Sequence, residues 1–282
     1  MSEPREIQEI LDIVSLRVAK IDGVIAIVLG GSRARGTADG HSDIDLGIYY
    51  DAQQPFRIAE LAAAAQELDD RHATELMTGF GEWGPGVNGG GWLIVRGHHV
   101  DFLYREIGAV SRAIEDCIAG RPSSVYQLGH PMGFPNQIYA GEIHVCRPLS
   151  DPSGAIARLK AKIAEYPEAL RSAVVKKHLF DAAFEIDLAA KAAVRGDTMF
   201  ITGCLFRAAG FMTMVLYALN RRWWLNEKGA LAESRGFAIK PAKFHSTVAE
   251  VLGHAGESPA ELAASVERFK RLAEGIQSLA AG

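Results

Sequence analysis

Apolar residues open the chain at three- and four-residue steps, at Ile7, Ile10, Leu11, Val14, Val18 and Ile21. That spacing predicts an amphipathic helix ending near Asp22-Gly23. The period then changes. Val24–Leu29 (VIAIVL) is a continuous apolar run of strand length, and after a polar loop Ile44–Tyr50 predicts a second strand. The alanine- and leucine-rich residues 57–68 return to helix. Further strands are predicted at 74–77, 91–96 and 99–104, the last two joined by a tight turn at Gly97-His98, and a helix at 107–119. Residues 130–154, dense in proline and glycine, read as a long loop.

Beyond Ser153 the pattern is helical throughout. Helices are expected over 155–165, 168–195, 198–224, 242–252 and 259–279, with breaks at Tyr166-Pro167, Gly196-Asp197 and Lys240-Pro241 and N-caps at Asp197 and Ser258. The fold class is therefore α+β: a mixed sheet with flanking helices over 1–148, followed by an all-α helical bundle over 149–282, its long third helical segment at the buried centre.

Composition narrows the function classes. With 282 residues, 48% hydrophobic and 23% charged, the chain is long enough for two cores of ordinary globular character. Glu3, Glu6 and Glu9 near the start argue against a secretory signal, and the longest apolar run, 208–219, is too short to span a bilayer. Cys117, Cys146 and Cys204 lie far apart without CxxC spacing, which points away from a disulfide framework or a zinc site and towards a reducing cytoplasm. The net charge of −4 divides into −8 over residues 1–140 and +4 over 141–282. Such a division suits a cleft for a polyanion with its metal ions, whereas the small total gives no support to extensive nucleic-acid binding.

The chemistry concentrates in residues 30–50, GGSRARGTADGHSDIDLGIYY. Side chains alternate along a strand, so Asp43 and Asp45 share one face while Ile44 and Leu46 point to the core. Two neighbouring carboxylates repel, and one would stay protonated unless a divalent cation bridges them. A hard, oxygen-loving ion such as Mg²⁺ suits that pair, although a solvated strand end would carry the same residues. Gly30-Gly31-Ser32, at the end of the preceding strand, adds backbone N–H groups open to close approach and a hydroxyl, and Arg33 and Arg35 add positive charge.

The stretch G-G-S-R-A-R-G-x(6)-D-I-D-L over residues 30–46 resembles the signature of the nucleotidyltransferase superfamily, which includes DNA polymerase beta and the antibiotic nucleotidyltransferases. The family requires a third carboxylate on a later strand, and Asp101 in HHVDFLYRE stands in suitable context. The resemblance implies nucleotidyl transfer, with ATP the expected donor, from a Mg²⁺-bound nucleoside triphosphate to a small-molecule acceptor. In that scheme Asp43 and Asp45 hold two metal ions, and Asp101 joins the ion nearer the acceptor and takes the acceptor proton. Gly31 and Ser32 grip the terminal phosphates, Arg33 assists, and Lys228 reaches the triphosphate from the helical domain. The segment EWGPGVNGGGWLIVRGHHVDFLYRE is similar to bacterial enzymes of aminoglycoside- or lincosamide-modifying type, while GPGVNGGG alone reads equally as a hairpin loop.

Other acceptors remain open at this level. A protein-adenylylating enzyme, an antitoxin and a catalytically silent nucleotide sensor share the same motif, and a homodimer is compatible with it. Membrane association is not expected. Glu75, Glu82 and Glu142 are candidate acceptor-site carboxylates. Arg171 and His178, seven apart on one predicted helix, match a ribonuclease-toxin spacing that chance also supplies. His98 and His99 read as surface residues, His41 in the loop before the aspartates as either a phosphate contact or a solvent-facing group, and Trp223 and Trp224 as packing groups.

Overall fold

The computed structural model describes residues 4–281. The chain forms two compact units, Met1–Asp116 with Ser123–Glu165, and Cys117–Pro122 with Tyr166–Gly282. The first unit thus runs on to Glu165, past the expected boundary at 148.

In the first unit the order is α1 (Arg5–Val18), β1 (Val24–Leu29), α2 (Gly31–Arg35), β2 (Ile44–Tyr50), α3 (Ile58–Leu68), β3 (Gly90–Val95), β4 (His98–Glu106) and α4 (Ile107–Ile118). It continues with β5 (Ser124–Gln127), β6 (His130–Pro135), α5 (Gln137–Val145), β7 (Arg147–Ser150) and α6 (Ala155–Lys162). The main sheet has the order β3-β4-β2-β1-β7 and is mixed: β2 and β4 are parallel and every other pair is antiparallel. Period-two burial decides the two faces. Ile44, Leu46, Ile48 and Tyr50 of β2 and Val100, Phe102 and Tyr104 of β4 enter one core with Ile7, Ile10, Leu11, Val14 and Val18 of α1 and Leu61, Ala64 and Ala65 of α3. The intervening residues, Asp45, Gly47 and Tyr49 on β2 and Asp101, Leu103 and Arg105 on β4, belong to the opposite face.

That opposite face is closed lower down by α5. Arg105, 3% exposed, donates from Nε and Nη2 to the two carboxylate oxygens of Glu142, each at 2.8 Å, and its guanidinium lies over the Tyr139 ring. Burial opposes the charge on Arg105, but the Glu142 carboxylate outweighs it and holds the guanidinium above its ordinary pKa. Tyr49 is buried alongside, and desolvation raises its hydroxyl well above the usual value.

Two sequence expectations are corrected here. Residues 74–77 make only an isolated bridge, Met77 to Gly91, because His72 and Glu75 adopt positive φ and break the extended run. Residues 130–154 hold β6, α5 and β7 rather than a loop; β5 and β6 pair as a hairpin and β7 adds an edge strand beside β1. These elements are short and are interrupted or bounded by prolines and glycines, which hid their period.

The second unit is helical, with α7 (Glu168–Ala193), α8 (Thr198–Leu219), the short α9 (Ala230–Glu233) leading into a 3₁₀ turn, α10 (Phe244–Gly253) and α11 (Pro259–Ala281). Helix α8 is long and apolar enough to cross a membrane by length and composition alone, exceeding the 12-residue run read from sequence, but most of it is buried in the packing with α7 and α11. It ends at Leu219 rather than running to 224: Arg221 takes positive φ, and Asn220 Nδ2 donates to the carbonyls of Leu216 and Ile239. Both expected N-caps form. Asp197 accepts from the Phe200 N–H at 3.2 Å, and Ser258 exchanges side-chain and backbone bonds with Glu261 in a capping box. Cys117, Cys146 and Cys204 are buried thiols outside any disulfide, and burial pushes the Cys146 and Cys204 thiols up to about 11.

Candidate active site

Gly30, Gly31 and Asp45 meet where β1 hands over to α2, with Asp101 on the next strand. The Gly30 N–H donates to the Asp45 carbonyl at 2.8 Å, extending the β1–β2 pairing by one bond past the end of β1. Gly31 then turns into α2 with φ +60°. A Cβ placed on Gly31 would lie 1.7 Å from Asp45 Oδ2 and 2.6 Å from its Cγ, so the Asp45 carboxylate rests directly on the Gly31 backbone. Glycine is required here both for the left-handed φ and for that close approach. Ser32 follows, half-buried, and its carbonyl accepts from the Thr37 N–H.

The loop from Thr37 to Asp43 is shaped by its own polar groups. Asp39 accepts from the His41 N–H at 2.9 Å and from the Ser42 hydroxyl at 3.1 Å, and these bonds lower its carboxyl pKa. Arg33 anchors the far end. At 9% exposure it points inward, donating from Nε to the Asp43 carbonyl at 3.1 Å and from Nη2 to the Ser42 carbonyl at 2.6 Å. These two bonds fix the backbone that carries Asp43.

Strand register sets the carboxylates. Asp45 and Asp101 are direct partners on the parallel strands β2 and β4, so both project from the same face of adjacent strands. Both are half-buried, whereas Asp43 lies exposed one residue before β2. Among the described residues, no group of three or more His, Cys, Asp or Glu side chains is drawn together closely enough to hold a metal ion. The fit to a divalent cation rests instead on donor chemistry: two carboxylates fixed in register, a third at the lip, and only oxygen donors, the set a hard ion such as Mg²⁺ prefers.

The remaining candidates fall elsewhere. Glu142 is bound to Arg105 and is a structural anion. Glu75 and Glu82 are exposed on the irregular segment before β3. Lys228 is exposed in the second unit, in the turn before α9. Arg171 pairs with Glu168, while His178 is buried, bonded to Asp181 at 2.9 Å and stacked on Phe211, so the two serve separate packing roles.

Comparison with known proteins matches the model of the nucleotidyltransferase domain to residues 7–76, the span from α1 to just beyond α3. Residues 7–76 are similar to a nucleotidyltransferase domain. The match takes in Gly31, Ser32, Asp43 and Asp45 and stops short of Asp101. Residues 140–228 match a second family, described as a domain of unknown function (DUF4037). No curated protein matches the chain. Among solved structures, a nucleotidyltransferase-like protein from Exiguobacterium sibiricum aligns over 96% of this chain and 73% of its own, at 11% identity and a TM-score of 0.44, a likeness too distant to carry an argument.

The motif does not include two tryptophans near Asp101, Trp92 on β3 and Trp83 in the turn before it. Trp92 is the direct partner of Asp101 across β3 and β4, and its indole stacks on that of Trp83. An outward tryptophan in GGWLIV, beside the strand of Asp101, was the available signal.

Proposed function

We propose that the protein is a Mg²⁺-dependent nucleotidyltransferase that moves AMP from ATP to a hydroxyl of a small molecule, with aminoglycosides and lincosamides as the first acceptors to test. The observation that carries this reading is the in-register pair Asp45 and Asp101 beside the close-packed Gly31 turn, within and next to the nucleotidyltransferase domain.

In this reading Gly31 and Ser32 hold the terminal phosphates through the backbone and the hydroxyl, and the packing of Asp45 against Gly31 keeps that phosphate site and the carboxylates at a fixed spacing. Asp43, Asp45 and Asp101 would hold the divalent ions, which when bound neutralise charge developing on the phosphate oxygens. Asp101 accepts the proton of the attacking hydroxyl. The hydroxyl oxygen forms a bond to the α-phosphorus as the bridging α–β P–O bond breaks, and pyrophosphate leaves with the electron pair. Arg33 acts through the Ser42 and Asp43 carbonyls to keep Asp43 at the lip of this arrangement.

The test is pyrophosphate release from each nucleoside triphosphate with Mg²⁺ against panels of aminoglycosides and lincosamides. Turnover with ATP and one of these acceptors is expected. Silence across both panels removes the antibiotic acceptor, and silence with every acceptor tried contradicts nucleotidyl transfer.

A further inference from the structure

Trp92 is anomalous for a strand residue. It is 60% exposed, yet its ring is not mobile surface, because it stacks on Trp83 with centroids 4.6 Å apart and planes at 23°. Several devices hold Trp83 in place. Gly90 makes room for it, since a Cβ there would lie 2.8 Å from the Trp83 ring and 1.8 Å from the Phe102 carbonyl oxygen. Gln127, buried in the β5–β6 hairpin, donates to the Trp83 carbonyl at 2.6 Å and accepts from the Gly86 and Val87 N–H groups at 3.0 Å each. A buried amide whose hydrogen bonds are made locks the loop that carries Trp83. The outcome is a rigid indole pair presenting apolar surface to solvent.

Its position gives it meaning. Across the sheet the row runs Gly30–Gly31, Asp45, Asp101, Trp92, each step fixed by a backbone bond or by register. In-line displacement at the α-phosphorus requires the entering hydroxyl to lie opposite the leaving pyrophosphate. With the terminal phosphates at Gly31 and Ser32, the entering side is the side of Asp101 and Trp92. We infer that Trp92, backed by Trp83, is the acceptor platform, and that the acceptor carries its reacting hydroxyl next to a ring face that lies on the Trp92 indole. This inference rests on the nucleotidyl-transfer reading for its orientation.

Aryl and glycosyl rings both meet this requirement; what the platform selects is a flat face beside a hydroxyl, and acyclic alcohols lack it. The probe is 4-nitrophenyl β-D-glucopyranoside, which offers both faces and whose nitroaryl group quenches indole fluorescence on contact, with methyl β-D-glucopyranoside and 4-nitrophenol as competitors that tell glycosyl from aryl stacking. The expected result is saturable quenching in the wild type, lost in Trp92→Ala and largely kept in Trp83→Phe and in a Trp223→Phe/Trp224→Phe double variant. With an acceptor that turns over, Trp92→Ala should raise the acceptor KM about tenfold, Trp92→Phe should restore most of it, and the KM for ATP should stay within about twofold. Non-saturable quenching, quenching that survives Trp92→Ala, or an unchanged acceptor KM overturns the platform. Saturable, Trp92-dependent quenching in a protein that releases no pyrophosphate keeps the platform and rejects nucleotidyl transfer, so the two claims fail separately.

Discussion

At the scale of single residues, the site is built by side chains whose chemistry is used indirectly. Arg33 stands in the motif as a cation, yet two of its donors bind backbone carbonyls in a buried position. A planar fork matches two carbonyls on consecutive residues, and an ammonium does not reproduce it. Arg33→Lys is accordingly expected to lower kcat by about 10- to 100-fold through misplacement of Asp43, with the ATP dissociation constant held within about twofold. Steady-state kinetics with calorimetric ATP titration checks this, and a loss of ATP affinity with kcat intact would instead place Arg33 on the phosphates. The motif was legible as residue types in order, and the outward placement of Asp101 with it, because a strand with apolar alternation advertises its outward residues. The direction of Arg33 was not legible, since a short turn gives no period from which to read a face.

At the scale of elements, the partly buried Arg105–Glu142 pair ties the mixed sheet to α5. Arg105 and Glu142 join β4 to α5, and removing one partner leaves the other charge buried and uncompensated. Glu142→Ala is predicted to destabilise the protein by about 3 kcal/mol, read as a lowered denaturation midpoint at unchanged m-value. Were Glu142 an acceptor-binding carboxylate instead, the variant would lose activity at wild-type stability. Helix α1 and strands β1, β2 and β4 were readable because each is long enough to show its period. Segment 74–77 misled because composition favours a strand where His72 and Glu75 take positive φ, and α5 and β7 were missed because prolines and glycines interrupt elements of four to nine residues.

At the scale of the whole molecule, an α+β unit whose residues 7–76 match the nucleotidyltransferase domain is followed by a helical unit, and the change of period after Ser153 made the two textures legible in the sequence. The helical unit has its own titrating group. His178 is buried, and desolvation lowers its pKa below the ordinary value despite the opposing pull of Asp181. The unfolded chain therefore takes up a proton first as pH falls, so this stability is full above the unfolded value of about 6.5 and is lost as pH drops through the lowered folded value. Thermal unfolding should show a midpoint that falls between about pH 7 and pH 5, with the slope reduced in His178→Phe; an unchanged slope would remove His178 from the pH response. The central claim, that the carboxylates facing each other across β2 and β4 drive nucleotidyl transfer, is tested most directly by pyrophosphate release from ATP and Mg²⁺ in wild type and Asp45→Asn with the same acceptor. The account predicts that Asp45→Asn folds, since the amide keeps the shape of the carboxylate packed on Gly31, and falls by about 100-fold or more in turnover. Wild-type turnover in Asp45→Asn would contradict it.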